Sequence, residues 1–367
     1  MTANSKRYDT AEKRWAGVGP YYAMFPTAFA DRVIRRYSRP GQLVLDPFAG
    51  RGTSVFSAAI ANRSGVGVEI NPVGWIYART KLRPGPAEPV LARLEEVWSK
   101  RHYYRARAED LPPFFTRCFH KDVREFLVAA REQLDWRYTR TDRTLMALLL
   151  VYLHGKRGQA LSNQMRQTKA MSPRYAMRWW SEHEMRAPRL DPVTFMAERI
   201  RWRYAHGEPQ TRRSSQMHFG CSTRTLAVAG RSLVQRASLL FTSPPYLGLT
   251  NYHYDQWLRL WLLGEPPNAR RKPGAHRAKF ENTEGYASLL ERVFTAAARL
   301  ATTNAVVYVR TGKQAETYLP TRAALRKAFP RHRIHRRLRP FKRPTQTSLF
   351  GDHGKKAGEL DLILRPE

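Results

Sequence analysis

Short apolar runs alternate with helical patterns in the first part of the chain. The run QLVLD (42–46) predicts a strand, SVFSAAIAN (54–62) a helix and GVGVEI (65–70) a second strand. A strand, a tight turn, a helix and a strand within about 30 residues are typical of the βαβ unit that begins a doubly wound sheet. Ahead of this unit, MFPTAFADRVIRRY (24–37) predicts a helix that starts near Pro26.

The middle of the chain has a different pattern. From about residue 87 to 210 apolar positions recur at helical spacing, and no alternating strand pattern interrupts them. Strand patterns then return, with helices between them. The predicted strands are QMHFG (216–220), ASLLFT (237–242), NAVVYVRTG (304–312), RIHRRLRP (333–340) and GELDLILRP (358–366).

These patterns predict an α/β fold, a doubly wound Rossmann-like sheet interrupted by a helical insertion. We expect residues 1–86 to form the first part of the sheet domain, 87–212 the insertion and 213–367 the second part. An insertion of about 120 residues is long enough to form a subdomain.

The charge of the chain indicates its partners. Lys and Arg outnumber Asp and Glu by 64 to 30, which gives a formal net charge of +34. Self-repulsion at this charge is costly unless a polyanion neutralises it. We expect nucleic acid rather than an anionic membrane, because no amphipathic helix with a continuous basic face flanks the core pattern.

The two cysteines, Cys118 and Cys221, are far apart and in no metal-ligand spacing. Disulfides and zinc are therefore not expected, and a reducing compartment is. The first residues lack an apolar targeting segment, and no run of 18 apolar residues occurs. We expect a cytoplasmic protein without a membrane or metal partner.

The turn DPFAGRGT (46–53) stands between the first predicted strand and its helix, where open α/β sheets bind ligands. Gly50 and Gly52 allow close approach of the backbone to a ligand. Glu69 ends the next strand 19 residues after Gly50, where a carboxylate accepts hydrogen bonds from ribose hydroxyls. Val55 replaces the third glycine of a dinucleotide fingerprint, so we expect a nucleoside cofactor other than a nicotinamide or flavin; a purely structural turn is the alternative.

A second motif, TSPPY (242–246), ends an apolar strand in two prolines. Proline fixes φ and lacks an N–H, so the carbonyls around Pro244 and Pro245 are held outward without ladder partners. With the ring of Tyr246 they form a rigid acceptor platform, which suits the amino edge of a stacked nucleobase. An ordinary proline turn after an edge strand is the alternative.

Together, DPFAGRGT and TSPPY resemble the DNA amino-methyltransferases, which use S-adenosylmethionine to methylate the exocyclic nitrogen of cytosine or adenine. GVGVEINP looks like the ribose-binding strand end of that family, and YYAMFPTAFADRVI like the segment that covers the methionine part of the cofactor. The resemblance implies a class I methyltransferase fold with two groups of site residues. Those at the cofactor are Phe25, Asp46, Pro47, Phe48, Ala49, Gly50, Gly52, Thr53, Glu69, Ile70 and Cys221, and those at the target base are Ser243, Pro244, Pro245 and Tyr246.

The sequence departs from the family pattern at HFGCST (218–223). Cys221 stands where the family often has an acidic residue near the cofactor adenine, and a thiol is a weak hydrogen-bond partner. A buried structural role is the alternative for Cys221. The order of the motifs resembles the permutation group that has its target-recognition region between them, which implies that role for residues 87–212.

The resemblance implies double-stranded DNA as the substrate and a nucleoid-associated protein of a prokaryotic cell, with a cognate restriction endonuclease as a candidate partner. Ser243 at the first motif position resembles the cytosine-N4 members more than the adenine-N6 members. No Pro-Cys pair is present, as methylation at cytosine C5 requires a thiolate. The alternatives are an adenine-N6 enzyme, an amino-methyltransferase of RNA or of protein glutamine, and a basic nucleic-acid-binding protein with an inactive methyltransferase fold.

Three further segments have both a functional and a structural interpretation. The segment NQMRQTKAMSPRYAMRWW (163–180) could contact bases and phosphates or could be packed helix, and the sequence favours neither. Asn251 and Tyr252 are candidates to shape the base pocket. The next four bulky residues are predicted to be core, namely Trp257, Leu258, Trp261 and Leu262.

Overall fold

The computed structural model describes most of the chain. The described residues are 8–20, 25–212, 214–229, 233–247, 252–269, 282–339 and 358–367. Residues 21–24 of the predicted cofactor-covering segment, Asn251 and the side chain of Tyr252 lie outside them, so the predictions made for these residues stay untested.

One mixed sheet forms the centre of the fold. Its strands in chain order are β1 Leu43–Asp46, β2 Ser64–Glu69, β3 Gln216–Phe219, β4 Ala237–Thr242, β5 Ala301–Gly312, β6 His332–Arg339 and β7 Glu359–Pro366. Within the described residues the sheet has seven strands in the order β3-β2-β1-β4-β5-β7-β6. Neighbours pair in parallel except β7, which is antiparallel to both β5 and β6.

Helices connect the strands and fill the long interval between β2 and β3. They are α1 Ala11–Ala16, α2 Thr27–Tyr37, α3 Thr53–Ile60, α4 Pro72–Leu82, α5 Ala87–Ser99, α6 Arg105–Glu109, α7 Pro113–Cys118, α8 Lys121–Gln133, α9 Arg140–Tyr152, α10 Pro173–Glu182, α11 Pro192–Tyr204, α12 Ser222–Ala229, α13 Tyr252–Asp255, α14 Trp257–Leu262, α15 Thr283–Leu300 and α16 Ala315–Ala328. In the described parts of the chain, no helix is both long and apolar enough to cross a bilayer.

The central strands β1 and β4 are mainly apolar because helices cover both faces of the sheet. Leu45 and Leu240 pack in a core with α15 and α16. Their neighbours Val44 and Leu239 point the other way and pack in a separate core with α2 and α3. This alternation confirms the predicted doubly wound, Rossmann-like sheet.

The helical interval shares its core with part of the sheet domain. Helices α5 to α11 interrupt the sheet between β2 and β3, as the sequence predicts. Their buried residues form one cluster with those of α3, α4 and α14. The bulky residues of α14 are at most 2% exposed, which confirms their prediction as core; they are Trp257, Leu258, Trp261 and Leu262. The role of residues 87–212 as a target-recognition region stays a prediction.

Helix α4 gave no clear sequence signal. Side chains on all its faces are buried, including Lys81, so it has no polar stripe opposite an apolar one. The 3.6-residue alternation that identifies surface helices is therefore missing. Asn71 begins the helix by accepting a hydrogen bond from the Val73 amide at 3.0 Å, and Pro72 occupies the first position.

Candidate functional site

The two sequence motifs meet at one edge of the sheet. Strands β1 and β4 are parallel neighbours, so their carboxyl ends lie side by side. Asp46 is the last residue of β1 and Thr242 the last of β4, and the Thr242 hydroxyl donates to Asp46 Oδ1 at 2.6 Å. The glycine turn and the Ser243–Tyr246 segment therefore start from two strand ends joined by a buried hydrogen bond.

Asp46 also holds the glycine turn in shape. Its carboxylate accepts hydrogen bonds from the Phe48 amide at 3.0 Å and from the Ser54 hydroxyl at the start of α3. The side chain is 2% exposed, and burial raises its pKa to about 6. Together with the bond from Thr242, these contacts hold the Asp46 carboxylate between the two strand ends, where it braces the turn.

Backbone conformation and close packing require glycine in the turn and in the helix that packs against it. Gly50 and Gly52 both have positive φ, at 53° and 73°. A Cβ on Gly52 would lie 2.5 Å from the Cβ of Ala78, so glycine here lets α3 and α4 pack closely. A Cβ on Gly74 would lie 2.9 Å from the carbonyl oxygen of Gly50, which shows that α4 also packs against the turn.

Glu69 at the end of β2 faces the glycine turn. Its Oε1 accepts from the Asn71 amide at 2.7 Å, and its carboxylate also accepts from the amides of Gly50 and Ile70. Burial raises the pKa of Glu69 to about 7, because the three amide hydrogen bonds only partly offset desolvation of a side chain that is 9% exposed. A carboxylate held beside a positive-φ glycine turn fits a ligand with vicinal hydroxyls, such as a ribose.

Two of the predicted cofactor residues hold the turn in place through hydrogen bonds of their backbone. The Ala49 amide donates to the Val68 carbonyl at 3.1 Å, and the Pro47 carbonyl accepts from the Ser222 hydroxyl. Phe48 is partly buried and Thr53 begins α3. The turn is thus fixed against β2 and α12.

Cys221 lies directly after β3, the strand next to β2. The amide of the preceding Gly220 donates to the Glu69 carbonyl at 3.0 Å, which brings this segment beside the glycine turn. The Cys221 side chain is 7% exposed, and its sulfur lies 3.1 Å from the Thr223 hydroxyl. This environment fits the structural role as well as a ligand contact.

Phe25 lies on the other side of the strand ends. Its ring stacks on Phe241 of β4, with centroids 4.7 Å apart and planes within 9°. It is partly buried in the core formed with α2. Phe25 thus anchors the chain just before α2 to the strand that carries the second motif.

Arg51, which was not predicted as a site residue, holds the N-terminal segment against the turn. This side chain is 8% exposed and donates to the Gly19 carbonyl at 2.8 Å. Burial lowers its pKa to about 10. No motif signals this contact, which joins residues 32 positions apart.

The platform residues follow β4 directly. Pro244 is buried, whereas Ser243, Pro245 and Tyr246 are partly exposed. The Tyr246 hydroxyl donates to the carboxylate of Glu359, the first residue of β7. The role of these residues at a target base stays a prediction.

An ion-pair network behind the platform holds Glu359. Arg310 contacts Glu359 at 3.1 Å and donates to Asp361 at 2.7 Å, and Arg339 donates to Asp361 at 2.8 Å. Asp361 is fully buried; burial raises its pKa, but the charge of Arg310 and the hydrogen bonds from Arg310, Tyr308 and Arg339 together outweigh burial and lower it. These charged residues of β5, β6 and β7 were not predicted as site residues, because only the sheet brings them to Tyr246.

Comparison with known proteins gives matches for part of the chain. Residues 2–73 match the N6/N4 methyltransferase family model, described as DNA methylase. The type II methyltransferase M.HpaI of Haemophilus parainfluenzae is 44% identical over 52 residues, which are 14% of this chain and 17% of that protein. M.MthZI of Methanothermobacter thermautotrophicus is 45% identical over 49 residues, 13% of this chain and 14% of that protein. The chain thus covers less than a fifth of these relatives' length.

A solved structure also aligns with the chain. It is the rRNA methyltransferase aviRa from Streptomyces viridochromogenes, with 13% identity, a TM-score of 0.34 and coverage of 95% of this chain and 90% of that one. No functional conclusion follows from a TM-score this low. The family match confirms the resemblance to DNA amino-methyltransferases over the part that carries the glycine turn, and TSPPY lies outside the matched range.

Proposed function

We propose that this protein is a DNA methyltransferase that transfers a methyl group from S-adenosylmethionine to N4 of a flipped-out cytosine. The observation that carries the proposal is the hydrogen bond between Thr242 and Asp46. It joins a cofactor-type glycine turn to an SPPY platform at the carboxyl edge of the sheet, where open α/β folds bind their ligands. The family match over residues 2–73 supports the same reaction class.

The cofactor half of the site needs residues that hold a nucleoside. Glu69 would accept hydrogen bonds from the ribose hydroxyls, and the Gly50–Gly52 turn would lie along the methionine part. When bound, S-adenosylmethionine supplies an electrophilic methyl group. Asp46 and Arg51 keep the turn and the N-terminal segment in place through the contacts described above.

The platform half acts on the amino group of the base. This nitrogen is a poor nucleophile, because its lone pair is conjugated with the ring. The Ser243 hydroxyl and the carbonyl beside Pro244 would accept hydrogen bonds from the two N–H groups of this nitrogen. These bonds would favour a tetrahedral nitrogen with a free lone pair. Alignment and acceptor placement of this kind contribute several kcal/mol to catalysis.

Tyr246 would stack on the extruded base, since a paired cytosine cannot reach the platform inside the duplex. Its hydroxyl is fixed by Glu359, which is fixed in turn by Arg310. The ring would therefore be held in place before the base arrives.

The charge of the protein supports a nucleic-acid substrate. A net charge of +34 favours a phosphate backbone over a protein substrate. DNA is preferred over RNA because the family model that matches is that of DNA methylases. Ser243 favours cytosine N4 over adenine N6 through the resemblance alone.

The proposal is tested by transfer of a labelled methyl group from S-adenosylmethionine to duplex DNA, single-stranded RNA and protein in parallel. We expect label in DNA with the wild-type protein and none with Gly50→Val, which fills the turn at a positive-φ position. Label in RNA or protein but not in DNA would contradict the substrate, and no label in any of them would contradict the enzyme class.

A further inference from the structure

A cavity opens within the helical insertion, away from the two motifs. It has a volume of about 670 Å³ and is bounded by the end of α9, by residues 155–171, which we call the cavity loop, and by parts of α10 and α11. This volume is in the range of small-molecule and nucleotide sites. None of the platform or cofactor residues described above lines it.

The lining combines positive charge with aromatic rings. Lys156, Arg166 and Arg199 supply the charge; the rings are those of Tyr152, Tyr175 and Trp179. Three glutamines also line the cavity, and among the described residues no Asp or Glu does. A group that carries negative charge and a planar, hydrogen-bonding ring matches this set, because rings stack on bases, amides bond base edges and cations bind phosphate.

Part of this lining is held in place before any ligand binds. Arg199 donates to the Phe195 carbonyl at 2.9 Å, and its guanidinium lies 3.2 Å from the centroid of the Phe195 ring. Trp179 stacks on His183 with centroids 4.4 Å apart. A preorganised lining lowers the entropy lost on binding.

The cavity loop is fastened to α14 by a buried arginine. Arg259 is fully buried, and its guanidinium donates to the Gln167 carbonyl at 2.6 Å and to the Leu150 carbonyl at 2.8 Å. Gln167 itself lines the cavity. One side chain of α14 thus fixes both the loop and the end of α9.

Further contacts join the same loop to the chain that follows the platform. Lys169 pairs with Asp255 of α13 at 2.7 Å, and the Trp257 indole donates to the Met171 carbonyl at 3.0 Å. The Ala170 amide donates to the Asp255 carbonyl at 2.9 Å. The cavity loop is therefore built onto the segment that comes next in sequence after Tyr246.

We propose that this cavity binds one nucleotide of the DNA substrate other than the nucleotide that is methylated. The inference rests on the proposed function, because it takes DNA as the substrate. The separate location from the platform requires a second nucleotide, and the contacts to α13 and α14 connect its binding site with the catalytic segment. The same chemistry would also fit a free nucleotide, which the experiment distinguishes.

Photo-cross-linking tests the location. Duplex DNA partly substituted with 5-iododeoxyuridine is irradiated with the full-length protein, and cross-linked peptides are identified by mass. We expect cross-links at Tyr152, Tyr175 or Trp179. Cross-links confined to other parts of the chain would overturn the proposal.

Affinity measurements test the energetic contribution. Trp179→Ala should weaken binding to duplex DNA about fivefold or more, and Lys156→Ala should reduce the slope of log affinity against log salt by about one. The matched control is Arg326→Ala, an exposed cation of α16 that lies outside the helical insertion and does not line the cavity, with less than a twofold effect expected. Because Lys156 is exposed, its variant remains informative if the tryptophan variant misfolds. Wild-type affinity and salt slope in both cavity variants would overturn the proposal.

Two further experiments distinguish a nucleotide of DNA from a free nucleotide in the cavity, and the cavity proposal from the proposed function. Calorimetric titration with the four deoxynucleoside monophosphates and ATP should give no binding tighter than millimolar; micromolar binding that Lys156→Ala abolishes would assign the cavity to a free nucleotide and overturn the DNA source. Cross-links in the cavity without any methyl transfer would contradict the proposed function but support the cavity proposal. Methyl transfer with wild-type kinetics in both cavity variants would contradict the cavity proposal alone.

Discussion

Cofactor affinity should depend on the ionisation of Glu69. Its pKa is about 7, because burial disfavours the charged form. If only the ionised carboxylate accepts the ribose hydroxyls, the competent fraction rises from about a tenth at pH 6 to about nine tenths at pH 8. The dissociation constant for the cofactor should then fall about tenfold over this range.

Burial of Glu69 should make the stability of the fold change with pH in the opposite direction to cofactor affinity. A carboxyl whose folded-state pKa is raised from 4.5 to about 7 stabilises the fold in its neutral form. That contribution is present at low pH and is lost as the pH rises from about 4.5 to about 7, by about 3 kcal/mol in total. The variant Glu69→Gln should therefore unfold at higher urea concentration than the wild type at pH 8 in the absence of cofactor.

Calorimetry with S-adenosylhomocysteine between pH 6 and 8, combined with urea unfolding, measures both effects. Glu69→Gln should bind more weakly at pH 8 and show no pH dependence over this range. Glu96→Gln, a change of an exposed carboxylate on α5, is the matched control and should behave as the wild type. A wild-type affinity that is constant from pH 6 to 8, or Glu69→Gln binding as tightly as the wild type, would refute the assignment of Glu69 to the ribose.

Three further predictions concern the strand ends. Ser243→Ala should lower kcat, with a loss of roughly 1.5–3 kcal/mol of transition-state stabilisation, because one acceptor for the amino group is lost while DNA and cofactor still bind. An unchanged kcat in steady-state methyl transfer would count against the platform. Tyr246→Phe and Glu359→Ala should each make extrusion of the target base less favourable by about 0.5–1.5 kcal/mol, as measured by 2-aminopurine fluorescence. The double variant should show no additive effect, because both changes remove the same hydrogen bond; additive effects would show that the hydroxyl contact is unimportant. Thr242→Val should lower the free energy of unfolding by about 1–3 kcal/mol in a urea titration, because the buried Asp46 loses a donor; an unchanged transition midpoint would contradict the bracing role.

The elements with a strong local pattern were predictable from sequence. Before their last residues, Asp46 and Thr242, strands β1 and β4 are apolar at every buried position because they lie at the centre of a sheet covered on both faces. The two motifs follow these strands, and parallel neighbouring strands bring their carboxyl ends together. The core of the candidate site could therefore be placed from the sequence.

Long-range contacts could not be predicted in this way. Glu359 reaches Tyr246 only because β7 pairs antiparallel with β5, an arrangement that no local pattern specifies. Gly52 was interpreted as a ligand-approach residue, yet its lack of a Cβ is also required by Ala78 of α4, a helix without an amphipathic pattern. Packing partners of this kind become visible only in three dimensions.

The proposed reaction is tested most directly by the nucleosides it produces. Duplex DNA is incubated with the purified protein and S-adenosylmethionine, digested and resolved by mass, with Ser243→Ala as the matched control. We expect N4-methylcytosine with the wild-type protein and a strongly reduced amount with the variant. N6-methyladenine would contradict the base assignment, and the absence of any methylated nucleoside would contradict the proposal that this protein methylates DNA.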